Sequence, residues 1–554
     1  MNIKFSLLTE KLRSKENKII IVICIISFLL NVIGIWWGTP EGWHPDEVTV
    51  PTLQMAKEMD LKPNRFIHGS LHTYIVGLVL SPYYIKLKIT NELSKTPTTR
   101  KLIGKSPYID KLMTNSFIIS RLISVIMGAL IIFIVYLITS EVYNKNAALI
   151  SSTLLAFTMS FVNFSHFATV DIPMTFWIIL SMLFIIKLIK KQDMGYYLLS
   201  GLFIGFAIST KYTAGLMILL FFISHLLSKE KISLNSLINK QFSLGFSMIF
   251  IGFLIGTPFA IIDFSNFKKD VITAITDVQL YKGIRNPYPG YISHIVNLIN
   301  GMGLALFLVS IIALTYTALK LIRIEDNSYK YTLLFFLFIV LFYLIVGKWN
   351  FAPMRFTVPL LPFIAILNGK FFYDMLKFKK KITIFVLVFI ILYSFCYTIS
   401  ADILFINDSR YLATKWIERN IDKNSTIELY YYNPNIPENI TVFQPKNKGF
   451  IEDFISGLES RKPDYIILSS LYYERYLIDI NAFPERTKYF SDLINERKNY
   501  RIVAKFGRGI YNSGGSPGFG SIEKLDSVIL RSLTLKPNPE FVNPTILILK
   551  RIEN

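Results

Sequence analysis

The sequence predicts a polytopic α-helical membrane protein of about eleven spans, followed by a mixed α/β domain outside the membrane. Three observations carry this reading. The chain is 52% hydrophobic and only 18% charged, with a mean hydropathy of +0.44, too apolar for a soluble protein of 554 residues. Its apolar residues gather in blocks of about 17–25, the length a helix needs to cross roughly 30 Å of hydrocarbon. From about residue 402 these blocks give way to short alternating helix- and strand-like patterns.

The first span is the apolar stretch from Ile19 to Gly38, preceded by Lys4, Lys11, Arg13, Lys15 and Lys18. Its core is longer than that of a signal peptide and lacks a small-residue cleavage site, so it is read as retained. It ends in Trp36-Trp37, an aromatic pair expected at the membrane interface. Ten further spans are expected near 117–139, 147–164, 171–189, 196–210, 212–228, 240–262, 297–320, 331–347, 354–373 and 382–401. Residues 71–89 (LHTYIVGLVLSPYYIKLKI) are also apolar but carry a Ser-Pro break and two lysines. They are expected to lie in the interface within a long first outer loop, 39–116.

Charge placement agrees with this count. With the basic N-terminus cytoplasmic, the loops EVYNKN, KLIKKQDMGYY, SKEKISLNSLINKQ, KLIRIEDNSYK and KFKKK all fall inside, as the positive-inside rule requires. The larger part of the formal net charge of +21 is thereby placed at the cytoplasmic membrane surface, although the two long outer loops also contain lysines. No basic aromatic surface remains for nucleic acid. An odd number of spans leaves the C-terminus outside, so the expected localisation is the plasma membrane with an extracytoplasmic C-terminal domain.

That domain, 402–554, follows a transmembrane domain of 1–401. DSRYLATKWIERNIDKNSTIELYYY reads as a helix then a strand, PDYIILSSLYYERYLI as the same order again, and YRIVAKF and PTILILKR as further strands. GRGIYNSGGSPGFGS is a Gly/Ser-rich loop without the strand–helix context of a phosphate-binding G-x-G-x-x-G. Cys24 and Cys396 both lie in apolar blocks, which excludes a disulfide framework or a zinc cluster.

On this topology the notable polar residues converge on the outer side. Asp46 and Glu47, in GWHPDE, open the first outer loop; His166 and Asp171 lie in the second, in NFSHFATVDIPMTFW; Lys211, Arg121 and Arg355 sit at outer ends of spans. Ionisable groups at membrane depth each cost about 2.5–3.5 kcal/mol at the centre by insertion scales, so several together indicate a polar cavity. A carboxylate there can take the proton of an attacking hydroxyl, its buried neighbour having a raised pKa or orienting the acceptor. Arg and Lys at headgroup depth can hold a phosphate leaving group. Each residue also has a plainer reading. Asp46 and Asp171 can start helices, Lys211 and Arg355 can snorkel, and His44 and His166 can be structural. A divalent metal at His44, Asp46 and Asp171 has no motif spacing behind it; no metal site is assigned and no cofactor is required.

The sequence resembles superfamily C membrane glycosyltransferases, in the protein O-mannosyltransferase-like group that includes the lipid A aminoarabinose transferase. GWHPDE matches that group's acid pair after the first span, and FIHGSLHTYIVGL the segment that follows it. The stretch from SRLISVIMG to VDIPMTFW resembles the next two spans and the second acidic position. STKYTAGLMILL, RFTVPLLPFIAIL and DSRYLATKWIERNID resemble later signatures, so the likeness covers roughly 18–420. The resemblance implies an inverting glycosyltransferase using a polyprenyl- or dolichyl-phosphate sugar such as dolichyl phosphate mannose. It implies Asp46 as catalytic base, Glu47 as its partner, Asp171 as a second acid of the cavity, and Lys211 and Arg355 at the donor phosphate. Arg121 is a further candidate for that phosphate; His44, His166, Tyr212 and Arg285 are candidate substrate contacts. The acceptor is a glycan, lipid or protein of the cell envelope. One rival is modification of protein side chains by the same architecture. A rival of another class, a transporter or flippase of lipid-linked intermediates, is disfavoured, because no paired halves with broken midplane helices are visible.

Overall fold

The computed structural model describes residues 15–92, 107–229, 239–280, 288–324, 328–349, 351–437, 439–445, 451–478, 483–507 and 525–552. All eleven apolar stretches carry helix, but the first, expected to run to Gly38, is helical only to Val32 and ends in a turn. The helix α1, Lys15–Val32, leads through a turn to α2 (Thr49–Glu58) and α3 (Leu71–Ile89). The next helices are α4 (Pro107–Val142), α5 (Lys145–Ala156), α6 (Met159–Ser165), α7 (Asp171–Lys191) and α8 (Met194–Thr210). They are followed by α9 (Leu216–Leu227), α10 (Lys240–Gly256), α11 (Phe264–Leu280) and α12 (Gly290–Met302). The last of the apolar set are α13 (Leu304–Arg323), α14 (Tyr329–Val346), α15 (Leu361–Phe378) and α16 (Lys380–Ile406).

Among the described residues six helical stretches, Ile109–Val142, Asp171–Lys191, Leu304–Arg323, Tyr329–Val346, Met354–Phe378 and Lys380–Asn420, are long and apolar enough to cross a membrane. The pair α5 and α6, bent by 64°, makes a seventh if it is one span, and α8, α9 and α10 are shorter apolar helices. The expected span at 147–164 is therefore broken, and the one at 240–262 ends at Gly256. The span expected at 297–320 is two helices. Gly303 separates them with φ +77°, and a Cβ there would meet the Tyr393 ring at 2.7 Å, so both its backbone and its lack of a side chain fix the break. The helix α3 forms over the whole interfacial stretch with Pro82 inside it, burying Val76, Leu80 and Tyr84 while Leu78, Ile85 and Ile89 face outward.

Beyond α16, which runs through residue 401, helix α17 (Ser409–Asn420) leads into a five-stranded mixed sheet of order β2-β1-β3-β5-β4. The strands are β1 (Thr426–Leu429), β2 (Thr441–Phe443), β3 (Tyr465–Ser469), β4 (Tyr500–Phe506) and β5 (Ile546–Arg551). Strand β1 is parallel to β2 and β3, whereas β5 is antiparallel to β3 and β4. PDYIILSSLYYERYLI reverses the expected order: strand β3 comes first and α18 (Ser470–Ile478) second. Its run of branched aliphatics suits a strand buried on both faces, and the aromatic YYERY continues as helix. Alternation sorts the two faces. Ile466, Leu468, Leu547 and Leu549 pack on Tyr472 of α18 and on Tyr489 and Phe490 of α19 (Pro484–Ile494), while Ile467, Ile546 and Ile548 pack on Ala413 and Ile417 of α17. The Gly/Ser-rich loop lies outside the described residues from 508 to 524.

A buried ion pair of the C-terminal region is joined to the first loop through Trp37. Arg410 grips Asp408 through Nε and Nη2 at 2.9 and 2.8 Å, and Asp408 also accepts from the Trp37 indole at 2.9 Å and the Asn543 amide at 2.6 Å. The guanidinium lies 3.9 Å from the Trp43 ring centre. Trp37 is thus 1% exposed and Trp36 48%: only Trp36 is free for the interface, and Trp37 is a keystone between the first loop and the C-terminal region. One segment of that region, Asn538–Asn543, thereby reaches the helical bundle.

Candidate active site

The turn after α1 delivers His44, Asp46 and Glu47 beneath the Trp37–Trp43 edge-on pair, whose ring centres are 5.5 Å apart. The adjacent acids then part. Glu47 points inward and is buried, and Arg121 of α4 forks onto it with Nε–Oε1 2.7 Å and Nη2–Oε2 2.8 Å. Glu47 also accepts from the Ala168 amide at 3.0 Å. Burial pulls its pKa up, but the Arg121 charge and hydrogen bonds outweigh this and hold it below the ordinary value. The expectation of a raised pKa at Glu47 is corrected by its Arg121 partner.

Asp46 points the other way. Its side chain is 39% exposed and meets Arg355 Nη2 at 3.1 Å. Burial acts to raise its pKa, and the charges of Arg355, His44, His68 and Lys211 overcome that, so Asp46 is a carboxylate at neutral pH. It opens into a cavity of about 630 Å³ that Arg65, His68, Lys211, Tyr212 and Arg355 also line, with Ile67, Trp349, Phe351 and Phe356 as an apolar wall. Lys211 sits at the C-terminal end of α8, donates to Asp171 Oδ1 of α7 at 2.6 Å, and lies 4.7 Å from the Phe356 ring centre.

The remaining candidates divide as follows. Arg121, expected at the donor phosphate, is fully committed: besides Glu47 it donates Nη1 to the Ile35 and Trp37 carbonyls at 2.7 and 2.6 Å, so it is a buried structural cation. His166 is buried with its ring nitrogens on the Val162 and Ile33 carbonyls at 2.8 and 2.7 Å, out of reach of a substrate. His44 is buried between Phe167 and Phe541 and accepts the Asp46 amide through Nδ1 at 3.2 Å. Burial pushes it down to about 4, so it is a neutral acceptor at pH 7. Tyr212 lines the cavity and donates its hydroxyl to the Phe66 carbonyl at 3.0 Å. Arg285 lies outside the described residues. His44, Asp46 and Asp171 do not gather as metal ligands; among the described residues no group of three or more His, Cys, Asp or Glu does.

Glu540 was not anticipated. It is fully buried and binds Arg355 twice, Nη1–Oε1 at 3.0 Å and main-chain N–Oε2 at 3.4 Å, so Arg355 stands between an exposed and a buried carboxylate. Its sequence setting, KPNPEFVNP, reads as a proline-rich loop and gives no sign of a site residue. Burial pushes Glu540 up to about 7, with Arg355 pulling down and the Asp171 and Asp46 charges adding to the rise. A raised acid holds its proton more tightly in the folded chain, so its contribution to stability is greatest below the ordinary value of 4.5 and falls as pH rises to about 7. Glu540→Gln is expected to flatten a decline of roughly 3 kcal/mol across that window. Thermal unfolding of the solubilised protein against pH reads this directly, and an unchanged slope in the variant would assign the titration to another group.

Residues 108–258 match the family model described as dolichyl-phosphate-mannose-protein mannosyltransferase. A comparison with curated proteins gave no match. In structure the chain is similar to the apo oligosaccharyltransferase of Archaeoglobus fulgidus, with a TM-score of 0.52 at 12% identity over 97% of this chain and 89% of that one. The same archaeal enzyme, AglB, in complex with an inhibitory peptide and a dolichol-phosphate, gives 0.50 at 12% identity over 97% and 88%. ArnT from Cupriavidus metallidurans bound to undecaprenyl phosphate gives 0.48 at 12% identity over 88% and 95%. At these identities the likeness to solved structures is one of fold.

Proposed function

We propose that the chain is a membrane glycosyltransferase of the protein-mannosyltransferase type that takes its sugar from a lipid phosphate, a reading supported by the family match at residues 108–258 and by the cavity lining. It moves a single sugar, with inversion, from a polyprenyl- or dolichyl-phosphate donor to a hydroxyl-bearing glycan, lipid or protein. The observation that carries this is the half-exposed Asp46 carboxylate facing the same cavity as Lys211 and Arg355. The acceptor hydroxyl gives its proton to Asp46 as its oxygen bonds to the anomeric carbon. The bond from that carbon to the phosphate oxygen breaks, and the electron pair leaves on the phosphate, which Lys211 and Arg355 stabilise. Arg355 is held by Glu540 from behind, so it can turn from Asp46 toward the phosphate without losing all its partners. The apolar wall of Trp349, Phe351 and Phe356 suits the lipid-linked end of the donor. The lysine-rich loops support an active face opposite the cytoplasm.

The test is transfer by the purified protein from a panel of polyprenyl-phosphate sugars; consumption of none of them removes this assignment. Transfer to peptide hydroxyls in the same assay would select protein as the acceptor, a reading favoured by the description of the matching family. Arg355→Lys keeps the charge but loses the planar fork, so donor KM is expected to rise about tenfold with a smaller change in kcat. Because Lys211 and Arg355 supply the positive charge at the phosphate, the reaction is taken to need no cofactor. Transfer is expected to persist after prolonged treatment with a chelator, and loss restored by a divalent ion would reverse that statement.

A further inference from the structure

The C-terminal region carries one element that does not behave as part of a soluble domain. Helix α20, Leu525–Leu533 (LDSVILRSL), separates its faces sharply. Val528 and Ser532, one turn apart, are buried, and Val528 packs on Val296 and Ile299 of α12. The opposite side leaves Leu530 56% and Leu533 64% exposed, an arrangement that costs free energy in water.

Its bonded partners fix its height. Ser532 Oγ accepts the Leu304 amide at 2.6 Å, and the Tyr393 hydroxyl lies 2.6 Å from Ser532 Oγ and donates to the Ser532 carbonyl at 2.9 Å. Leu304 is the first residue of α13, whose 20 residues rise about 30 Å, the thickness of the hydrocarbon layer. Tyr393 lies half-way along the 27-residue α16. A helix seated on the end of one span and the middle of another stands at the boundary of the hydrocarbon, not above it. The two spans it is bonded to expose Leu308, Ile311 and Ile312 on α13 and Phe389 and Leu392 on α16, as lipid-facing helices do, and Leu530 and Leu533 extend that apolar surface.

We propose that α20 lies in the membrane interface, with Leu530 and Leu533 among the acyl chains of the outer-leaflet lipids. The C-terminal region is then anchored by lipid as well as by protein. The anchor is close to the chemistry. The chain leaves α20 and pairs Asn538 with Asn300, whose Nδ2 donates to the Asn538 carbonyl at 2.8 Å and whose Oδ1 accepts the Asn538 amide at 3.2 Å. Glu540 follows, held on Arg355. Lipid contact at α20 therefore helps hold the buried acid behind Arg355. This inference stands on the helix and its depth and does not depend on which donor or acceptor is used.

The experiment uses the full chain in lipid nanodiscs, with Cys24→Ser and Cys396→Ser as background. A nitroxide is attached at Leu530→Cys, at Leu533→Cys, and at Leu412→Cys on the exposed side of α17 as control. Relaxation by oxygen, which concentrates in lipid, is compared with relaxation by a water-soluble nickel chelate. Oxygen is expected to dominate several-fold at 530 and 533, and the chelate at 412. Dominance of the chelate at both leucine sites would return α20 to the aqueous domain and overturn the proposal. Exclusion of both reagents there would show a protein surface covering the helix, which overturns it equally.

Discussion

Asp46→Asn is expected to lower kcat for sugar transfer by about 10³-fold, within the range a positioned general base contributes, while the protein folds as before and still binds donor. Asn preserves the shape of the side chain and removes the lone-pair basicity the reaction needs. The folding cost is small because Asp46 is 39% exposed, and its one ion pair is screened accordingly. Nor does the substitution strand Arg355, which keeps Glu540 at 3.0 Å. Releasing Arg355 from Asp46 frees its outer face, so donor KM should stay level or fall. A drop in kcat with an unchanged or lower KM separates loss of the base from loss of the site. Full activity in the variant would reduce Asp46 to the acid that begins a turn, and would move the base to Asp171 or another group. A rise in donor KM equal to the fall in kcat/KM would make Asp46 a binding residue instead.

Much of this fold is legible because membrane crossing imposes a local rule. About twenty apolar residues must run together, and every stretch found that way carries helix. Breaks were invisible where they depend on a neighbour. Gly303 splits one stretch because its conformation and the Tyr393 ring demand it, and glycine within an apolar run is too common to signal that. The strand β3 and helix α18 were placed in the wrong order because YIILSSLYYERYLI has no clear switch in period. At the site, sequence could say that Asp46 and Glu47 are adjacent but not that they part. Which of them is buried is decided by Arg121 from α4 and Ala168 from the loop before α7, both distant in the chain. The same reasoning explains Arg121 itself. Its position near a span end suggested a phosphate ligand, yet four donor contacts inside the protein consume it. Glu540 needed the whole fold, since its loop is brought to Arg355 by Asp408 and Arg410, which hold Asn543 and Phe541 on one side, and by Asn300, which holds Asn538 on the other.

The buried pair makes the second large prediction, and it concerns stability. Glu47→Ala is expected to destabilise the protein by about 3–5 kcal/mol, the usual cost of removing one partner of a buried ion pair. Arg121 would be left as an uncompensated charge among Trp37 and Phe117, whose ring centres lie 5.9 and 5.3 Å from its guanidinium. Its two remaining carbonyl contacts satisfy hydrogen bonds but not charge. The Ala168 amide would lose its acceptor as well. Arg121→Met alone should cost a similar amount, since it strands the Glu47 carboxylate. The informative comparison is the double variant, Glu47→Ala with Arg121→Met. With both charges gone the penalty should be well below the sum of the two single ones, because most of each comes from the abandoned partner. Chemical or thermal unfolding of the three variants in one detergent gives the coupling. Additive losses would mean that each residue holds the fold through separate contacts, Arg121 through the Ile35 and Trp37 carbonyls and Glu47 through Ala168. Strong coupling would mean that Glu47 serves as the countercharge to Arg121 and fixes the turn on which Asp46 is presented.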